Sequence, residues 1–459
     1  MNDLCFQSAC EIARAVREKE VSALEVVETH LERIEATHSA LNAVVTLAAD
    51  EARAADARQA SGDPIGALHG VPVTIKDSIE TAGILTTGGT TGLSNHVPER
   101  DAPVVTRLRE AGAIVLGKTN TPELTLGGES DNLIFGRTSN PYRLDRTPGG
   151  SSGGAAAIIA AGGAALDLGS DVGGSIREPA HYCGIAGIKP TSGRVPGTGH
   201  IPASYGALDT FAQIGPMARR VEDIELALGI VSGIDWADPS VVPMPLGASA
   251  SVAIQRLRVA TYTDNGLIAP SEEIAGAVTE AAGTLAAAGV EVLSAVPEAI
   301  SDAVALLPRI RAAEGGAPVR YALDLAGTKN PSSRLSYALD FPVPPPGNVL
   351  SDLMIELDLV RARMLAFLRD FDAIVCPASP WCAPEHGFEP EERYVAWSHA
   401  MIYNLTGWPG VVVRAGMSDE GLPIGVQVVA RPWREDVAFA LARCIESALG
   451  GYRPPPETG

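Results

Sequence analysis

This 459-residue chain lacks the features that mark membrane and nucleic-acid-binding proteins. No apolar run approaches the roughly 20 residues that span a bilayer, and Met1–Leu4 does not open a basic and then apolar signal segment. Lysines and arginines form no cluster and the formal net charge is −20, whereas phosphate binding depends on clustered basic residues. We therefore expect a cytoplasmic protein with neither a membrane nor a nucleic-acid partner.

The sequence also contains no pattern typical of a metal site or of a disulfide framework. The eight histidines include no H-E-x-x-H motif and no obvious ligand cluster. A chain of this size needs no disulfide framework, so reduced thiols are expected. No metal and no cofactor are predicted. The six cysteines, scattered without zinc-ligand spacing, are Cys5, Cys10, Cys183, Cys376, Cys382 and Cys444.

Glycine, by contrast, is abundant, and two glycine clusters surround serines. Ser151 lies within Gly149–Gly154, Ser175 lies within Asp171–Arg177, and Lys76 ends a strand-like apolar run. A serine hydroxyl is a poor nucleophile at neutral pH, so it needs a base within hydrogen-bond reach and backbone N–H groups aimed at the oxyanion that it creates. Together these residues predict a hydrolase whose base is a lysine.

The glycines favour Ser175 as the nucleophile. Gly173 and Gly174 lack a Cβ, so the backbone can turn sharply and several N–H groups can converge beside the Ser175 hydroxyl. Ser151 would then be a proton relay between Ser175 and an amine. Lys76 can act as a base only if burial lowers its pKa from about 10.4 to roughly 7 to 8, which the apolar run before it favours.

Two short motifs indicate other chemistry. Gly112–Thr119 satisfies the phosphate-loop pattern, but its apolar middle predicts a strand where that motif needs a loop. Gly150–Gly154 satisfies G-x-S-x-G, the nucleophile elbow, with Ser152 as the serine. His386 or His399 would supply its base, although a polar, proline-containing segment stands where the elbow needs a buried strand. Both interpretations are kept as minor alternatives.

The serine and glycine blocks resemble those of the amidase signature family. In that family a lysine, a cis-serine and a nucleophilic serine form a triad, and the matching positions are Lys76, Ser151 and Ser175. Residues 231–346 match only loosely, so substrate-specific structure is expected there. Further blocks that extend the resemblance over nearly the whole chain are Gly70–Val73, Lys76–Asp77, Ala111–Asn120, Phe135–Gly136, Asn140–Pro141, Gly184–Thr191 and Gly421–Gln427.

The resemblance implies an α/β fold with a large mixed β-sheet covered by helices on both faces. Apolar spacing predicts a helical N-terminal segment over residues 1–60, and Val71–Lys76 and Ala113–Leu116 read as strands. Length alone suggests about three domains. No low-complexity linker separates the blocks assigned to one site, so a single domain over residues 1–459 is expected, with Phe341–Gly347 the best boundary candidate.

The mechanism that the resemblance implies is acyl transfer through an acyl-enzyme. Neutral Lys76 takes a proton through Ser151 while Ser175 attacks the carbonyl, and a cis peptide precedes Ser151. Asp171 and Arg177 flank the nucleophile loop and are candidates for a pair that fixes it, the alternative being two independent surface charges. The N–H groups implied to hold the oxyanion are those of Val172, Gly173, Gly174 and Ser175.

The substrate is less well defined by the sequence than the reaction. We expect a stand-alone amidase for small, apolar or aryl-containing amides, with a carbamate or ester hydrolase as the alternative. Trp381, Trp397, Tyr403 and Trp408 cluster before the last strands and suit either a pocket wall or plain core packing. The candidate substrate-binding positions are Tyr142, Gly149, Gly150, Ile176, Trp381, Trp397 and Tyr403.

A different class of function is that of the glutamyl-tRNA amidotransferase A subunit, which shares the triad, works in a complex and channels ammonia. Glu178 stands where that protein has glutamine, and Trp397 lies near the place of its glutamine-binding aspartate. Both disfavour it. A catalytically dead binding protein is disfavoured because no triad residue is missing. We therefore expect a monomer or homodimer that acts on a small-molecule amide.

Overall fold

An 11-stranded mixed sheet forms the centre of the computed structural model, which describes residues 3–48, 66–203, 211–341 and 346–456. Its strand order is β1-β3-β2-β6-β8-β7-β12-β13-β11-β9-β10, and β4 and β5 form a separate two-stranded sheet. The strands are β1 Val44–Leu47, β2 Pro72–Lys76, β3 Ile114–Thr119, β4 Asp131–Asn132, β5 Gly136–Arg137, β6 Leu166–Asp171, β7 Ala186–Lys189, β8 Gln213–Ala218, β9 Arg258–Thr261, β10 Glu291–Ser294, β11 Ala373–Pro377, β12 Gly410–Met417 and β13 Pro423–Ala430.

Helices cover the sheet on both faces. Every residue of β2, β3, β6, β8, β11 and β13 is buried, which requires cover on both sides. The predicted α/β fold is therefore confirmed. The helices are α1 Ala9–Arg17, α2 Ala23–Leu41, α3 Pro103–Glu110, α4 Gly153–Ala160, α5 Arg177–Tyr182, α6 Val221–Val231, α7 Glu272–Ala287, α8 Ile300–Glu314, α9 Ala317–Ala326, α10 Ser336–Leu339, α11 Gly347–Phe367, α12 Arg393–Ala396, α13 Ser398–Leu405 and α14 Glu435–Leu449.

The N-terminal segment is helical only in part. Helices α1 and α2 each begin after a serine whose hydroxyl accepts from a backbone N–H, Ser8 from Glu11 at 3.0 Å and Ser22 from Glu25 at 3.1 Å. The prediction of helix is wrong for Val44–Leu47, which forms β1 antiparallel to β3, because this β-branched stretch suits a strand. Residues 1–2 and 49–60 of the predicted segment lie outside the described residues.

Parallel pairing places the ends of two central strands together. Strand β2, which ends at Lys76, runs parallel to β6, which ends at Asp171, so both carboxyl ends lie at one edge of the sheet. Helix α4 follows the Ser151 loop, and a Cβ on Gly154 would lie 2.4 Å from the backbone nitrogen of Asn120. Only glycine permits that approach, so α4 can seat the serine loop against the strand ends.

The strand predicted for Ala113–Leu116, inside the Gly112–Thr119 motif, is confirmed with shifted bounds. Residues Ile114–Thr119 form β3, and Lys118 lies buried within it. Its ammonium donates to the carbonyl oxygen of Ile79 and to the Thr81 hydroxyl. A phosphate loop needs a free loop and an accessible lysine, so this motif binds no nucleotide here.

The loosely matching region from 231 to 346 contributes to both the sheet and the site. It supplies β9 and β10 at one sheet edge, and α8, whose residue Arg311 lines the cavities described below. Residues 342–345 of the proline-rich stretch lie outside the described part of the chain. Within the described residues, no helix combines the length and apolar character needed to cross a bilayer.

Buried ion pairing also ties the C-terminal helix to the sheet. Arg194, in the loop after β7, contacts both carboxylate oxygens of Glu435 at 2.6 and 2.7 Å, and the two side chains are 1% and 0% exposed. The same carboxylate accepts from the backbone N–H of Thr191 at 3.0 Å. Glu435 is the first residue of α14, so these contacts join the last helix to the loop that follows β7.

Replacing Arg194 with Met should strongly destabilise the fold, because it leaves the Glu435 carboxylate buried without a counter-ion. Such a loss costs about 3 to 5 kcal/mol, which urea unfolding would record as a large fall in midpoint. Arg363→Met is the matched control, since Arg363 and its partner Asp302 are 56% and 55% exposed and exposed pairs contribute little. Equal midpoint shifts in the two variants would contradict this assignment.

Candidate active site

The side-chain amine of Lys76 lies buried among hydroxyl groups at the end of β2. Its Nζ lies 2.6 Å from Ser151 Oγ, 3.0 Å from Ser152 Oγ and 3.0 Å from Ser170 Oγ. Within the described chain, Lys76 forms no ion pair with a carboxylate. The hydrogen-bond partners of the amine are therefore neutral groups, which do not stabilise its protonated form as a carboxylate would.

Burial sets the protonation of this amine. Desolvation lowers the pKa of Lys76 to about 7, against the smaller opposing effects of Asp171 and Asp167. Burial likewise raises the pKa of Asp167 to about 7, which weakens that carboxyl as a counter-ion. A lysine with a pKa near 7 is substantially neutral at physiological pH, and a neutral amine can accept a proton.

The loop that carries Ser151 is held by its own backbone and by Ser130. The Gly150–Ser151 peptide bond is cis, as the family resemblance implies. Ser130 Oγ donates to the Gly149 carbonyl oxygen at 3.1 Å and accepts from the Gly153 N–H at 2.9 Å. A Cβ on Gly150 would lie 2.5 Å from a backbone oxygen of the neighbouring loop. Close packing therefore requires glycine here, and it fixes the Ser151 hydroxyl.

The loop that carries Ser175 closes around a buried ion pair. Asp171 accepts from Arg177 Nε at 3.0 Å and Arg177 Nη2 at 2.9 Å, and both side chains are 0% exposed. Burial alone would raise the pKa of Asp171, but the Arg177 guanidinium and the hydrogen bonds from Arg177 and Asn404 hold it well below its usual range. The interpretation of Asp171 and Arg177 as a loop-fixing pair is therefore confirmed.

The four predicted oxyanion donors are not equivalent. The Gly174 N–H donates to Asp171 Oδ1 at 2.8 Å, so in this geometry it already has a partner. Val172, Gly173 and Ser175 are only partly buried beside the cavity, whereas Gly174 is buried. The Ser175 carbonyl oxygen accepts from the Ser152 N–H at 3.1 Å, which joins the two serine loops. We therefore restrict the candidate oxyanion donors to the amides of Val172, Gly173 and Ser175.

Two neighbouring cavities open at these serines. The larger, of about 210 Å³, is lined by Ser151, Ser170 and His200 among mainly apolar residues. The second, of about 60 Å³, is lined by Ser175, Gly150 and Trp397. Four residues line both cavities, so the relay serine and the nucleophile face adjoining spaces; these are Thr125, Leu126, Val172 and Arg311.

The predicted pocket residues divide into two groups. Trp397 and Gly150 line the Ser175 cavity, and Trp381 lines a third cavity of about 30 Å³ that also touches Trp397 and Glu178. Trp397 and Gly150 therefore lie beside the candidate nucleophile, and Trp381 lines the neighbouring cavity. Two of the four aromatic residues that cluster before the last strands, Trp381 and Trp397, therefore line a cavity.

The remaining predicted pocket residues belong to the core, and their assignment is corrected. The Tyr142 hydroxyl donates to the Arg453 carbonyl oxygen, and Tyr403 shares a 2.8 Å hydrogen bond with Tyr262. Ile176 is fully buried in the main core, and Gly149 lies against Tyr182 and Pro179. Trp408 packs beside the Tyr403 ring. None of these residues lines the cavities described above.

The sequence did not predict three groups around Lys76, although it offered Ser152 as the serine of the elbow alternative. Ser152 and Ser170 both contact its amine, and Ser170 Oγ lies 2.8 Å from His200 Nε2. His200 Nδ1 lies 2.9 Å from the Pro202 carbonyl oxygen, and burial lowers the pKa of His200 to about 4. The two serines lie inside or beside the glycine-rich motifs, but nothing in the sequence marks His200, which lies far from Lys76 along the chain.

Neither histidine that the nucleophile-elbow alternative requires contacts Ser152 in the described part of the chain. His386 Nδ1 contacts Glu129 at 2.6 Å, and His399 Nε2 contacts the Ile268 carbonyl oxygen at 3.2 Å. The Ser152 hydroxyl instead lies within 3.0 Å of Lys76 Nζ. A serine elbow needs a histidine within hydrogen-bond reach, so this interpretation is set aside.

Thiols and acidic groups elsewhere have structural partners. Cys183 is buried, its Sγ contacts the Pro148 carbonyl oxygen at 3.8 Å, and burial raises its thiol pKa. Cys10, Glu222 and Asp223 present atoms within 4.8 Å of one another. However, Asp223 accepts from the Cys10 N–H at 2.9 Å, so the group is explained by contacts between α1 and α6.

Comparison with known proteins agrees with this geometry. The sequence matches the Amidase family over residues 25–438. It is 36% identical over 496 residues to the A subunit of the glutamyl-tRNA(Gln) amidotransferase of Salinispora arenicola (strain CNS-205), with 99% of this chain and 100% of that protein covered.

Two further relatives are hydrolases by name. Indoleacetamide hydrolase of Bradyrhizobium diazoefficiens is 36% identical over 462 residues, with 96% of this chain and 86% of that protein covered. The structure of 6-aminohexanoate cyclic dimer hydrolase complexed with substrate superimposes with a TM-score of 0.88 at 29% identity, with 99% of each chain covered. The chain therefore belongs to the amidase signature family, whose members include amidohydrolases acting on carbon–nitrogen bonds, and it is an enzyme of that class.

Proposed function

We propose that this protein is a stand-alone amidase that hydrolyses small amides through Lys76, Ser151 and Ser175. The observation that carries the proposal is the 2.6 Å contact between Ser151 Oγ and a buried lysine amine with a pKa of about 7. A neutral amine at that distance can take a proton from Ser151. No histidine is needed for such a step.

The hydrogen bonds around Lys76 have a definite direction in this mechanism. His200 Nδ1–H donates to the Pro202 carbonyl oxygen, which leaves Nε2 as an acceptor for the Ser170 O–H at 2.8 Å, with the Ser78 hydroxyl farther away at 3.2 Å. The Ser170 oxygen is then free to accept an N–H from Lys76. This arrangement leaves the lone pair of the neutral amine for the Ser151 O–H, so His200 positions the base without touching it.

The proposed acylation step uses Lys76, Ser151 and Ser175 in turn. Lys76 accepts the Ser151 proton, Ser151 accepts the Ser175 proton, and the Ser175 oxygen adds to the substrate carbonyl carbon. The Val172, Gly173 and Ser175 amides stabilise the resulting oxyanion. The tetrahedral intermediate collapses as the proton returns through Ser151 to the departing nitrogen. Water repeats the cycle on the acyl-enzyme and releases the acid.

Small amides with an apolar body fit the cavities best. The 210 Å³ cavity is lined mainly by apolar residues, including Leu124, Val195 and Ile214, and apolar burial provides much of the binding energy in such pockets. The names of two relatives, indoleacetamide hydrolase and 6-aminohexanoate cyclic dimer hydrolase, describe amide substrates with apolar parts. Carbamates and esters share the carbonyl geometry and are the alternative substrates.

The second candidate function is that of an amidotransferase A subunit, and the 36% identity to such a protein over 99% of the chain favours it. Two residues beside Ser175 weigh against it. Glu178 and Trp397 line the nucleophile cavity at positions where the resemblance implies glutamine and aspartate. We therefore expect no dependence on glutamine or on a partner protein.

The deciding experiment is hydrolysis of a matched amide, ester and carbamate of one aromatic leaving group by the purified protein. Serine-dependent turnover without glutamine or partner supports the stand-alone amidase, and the rank order of the three rates identifies the acyl class. Turnover of glutamine only, and only with added partner proteins, would instead support the amidotransferase.

Replacing Ser175 with Ala should lower kcat by at least about 10⁴-fold, because the proposed acyl-enzyme forms on the Ser175 oxygen. Circular dichroism should show an unchanged fold. Ser152→Ala is the comparison variant, since Ser152 also contacts Lys76, and it should lose less activity. Retained turnover in Ser175→Ala would move the nucleophile to Ser152 or Ser151.

Activity should rise with pH through about 7 and level off by about pH 8 to 9. Only neutral Lys76 can accept a proton, and burial sets its pKa at about 7, so protonation below that value removes the base. The measurement is kcat/KM from pH 5.5 to 9.5. Glu178 has a pKa of about 8, so the profile is repeated in Glu178→Gln, where the Lys76 limb should remain. A flat profile in both proteins would contradict a lysine base.

Replacing His200 with Leu should lower kcat by about 10 to 100-fold with little change in KM. Without its acceptor, the Ser170 O–H can turn toward the Lys76 lone pair and compete with Ser151. The same change favours the neutral amine, so the acid limb of the pH profile should move to lower pH. His200→Gln keeps an acceptor and should recover most of the rate. If both variants lose the same kcat and the acid limb of the pH profile does not move, His200 contributes only packing.

A further inference from the structure

The third cavity, of about 30 Å³, combines aromatic rings with carboxyl groups. A space of this size holds about two water molecules, at the roughly 10 to 15 Å³ that one water needs. No lysine or arginine is among the described residues that line it. The rings and carboxyl groups in its wall belong to Glu129, Glu178, Tyr182, Trp381, Glu385, Phe388 and Trp397.

Glu178 connects this cavity to the nucleophile. It lines both the third cavity and the cavity that contains Ser175. Its Cδ lies 3.8 Å from the point that a Cβ on Gly174 would occupy, one residue from the nucleophile. Gly128 and Trp397 also line both cavities, so the two spaces have a common wall.

The Glu178 side chain is largely buried, and its carboxyl bonds to no described residue. The residue is 4% exposed and takes part in no side-chain hydrogen bond or ion pair among the described residues, but its oxygens are not sealed from the cavity. Burial, together with the charge of Asp171, raises its pKa to about 8, although Arg177 opposes the shift. A carboxyl that lines a cavity and bonds to no described protein group is available to a ligand group in that cavity.

The other two carboxylates of the cavity are already engaged. Glu129 contacts His386 Nδ1 at 2.6 Å and Arg334 at 3.1 Å. Glu385 is 76% exposed and lies 3.8 Å from Arg146. Glu178 is therefore the carboxyl of this wall with unused hydrogen-bonding capacity.

The charges around Glu178 favour a cation in the third cavity. Asp171 and Arg177 neutralise each other beneath it. On the Ser175 side, Arg311 lines the nucleophile cavity and Arg393 lies 5.3 Å from the centre of the Trp397 ring. Both lie outside the lining of the third cavity. The charged and aromatic groups that line it are therefore the acidic side chains, Tyr182, Phe388 and the two tryptophans, and acidic and aromatic groups attract an ammonium group.

We propose that the third cavity is a subsite for a small primary ammonium group on the substrate, bound by the Glu178 carboxylate and the rings of Trp381 and Trp397. The inference rests on the proposed amidase function, because the subsite would select amides that carry this group near the scissile carbonyl. The ammonium donates hydrogen bonds to Glu178, and the apolar body of the substrate occupies the larger cavities.

Binding of a cation should release a proton from Glu178. The carboxyl is mostly protonated below its pKa of about 8, and an adjacent ammonium stabilises the ionised form. The proton passes to the solvent as the carboxylate pairs with the cation. Affinity should therefore increase as the pH rises toward 8, with about an eightfold gain between pH 7 and pH 8.5.

The test is calorimetric titration of ethylammonium chloride into the Ser175→Ala protein at pH 7 and pH 8.5, with 1-propanol as the uncharged probe. Ethylammonium should bind more tightly than 1-propanol, with the eightfold pH dependence and a proton release seen as heat that varies with the buffer. Adding Glu178→Gln should weaken ethylammonium binding at least tenfold and remove the pH dependence. Glu391→Gln is the matched control, since it removes one exposed acidic charge.

Equal binding of the two probes, or a pH dependence that survives Glu178→Gln, would overturn the proposal. If Glu391→Gln weakens ethylammonium binding as much as Glu178→Gln does, the binding reflects general attraction of a cation to an acidic protein. This titration needs no turnover, so its failure can be separated from failure of the proposed amidase function. Wild-type protein that hydrolyses no amide but retains the ethylammonium signal would overturn the function and leave the cation subsite in place.

Discussion

The burial of one lysine amine without a carboxylate partner is the constraint on which the site depends. Taking Lys76 out of water disfavours its charged form, and a carboxylate in direct contact would restore that charge. The fold therefore surrounds Nζ with hydroxyl oxygens, at 2.6 Å from Ser151 and 3.0 Å from Ser152 and Ser170. These contacts satisfy the amine and leave its pKa near 7. The arrangement needs two parallel strands ending side by side, because one supplies the lysine and the other supplies Ser170.

The nearby acidic group is kept from pairing with Lys76 by a stronger partner. Asp171 ends β6 close to the amine, but Arg177 binds both of its oxygens at 2.9 and 3.0 Å. Arg177 is itself held by Gln427 on β13 and by Asn404 on α13. The pair thus shapes the nucleophile loop and also keeps Asp171 out of contact with Lys76, so that Asp171 raises the pKa of Lys76 less than burial lowers it. One ion pair serves both geometry and electrostatics.

The sequence predicted the chemistry better than the surroundings of the site. Lys76, Ser151 and Ser175 were identified because glycine-rich loops and a buried strand end leave local patterns. The roles of His200 and Ser170 depend on contacts between distant parts of the chain, for which one sequence carries no signal. Tyr142 and Tyr403 were assigned to the pocket because an aromatic residue can pack in a core or line a cavity with the same composition. Strand β1 was missed because Val44–Leu47 follows directly on a strongly helical segment.

Two adjacent residues show how burial separates structural from binding roles. Arg177 and Glu178 are both buried on the first turn of α5, yet their surroundings differ. Every part of the Arg177 guanidinium has a partner, so its charge is used within the fold. Glu178, turned the other way toward the cavities, has none in the described chain. Its carboxyl lines the cavity that contains Ser175 and bonds to no described group, so it is available to a group that arrives with the substrate.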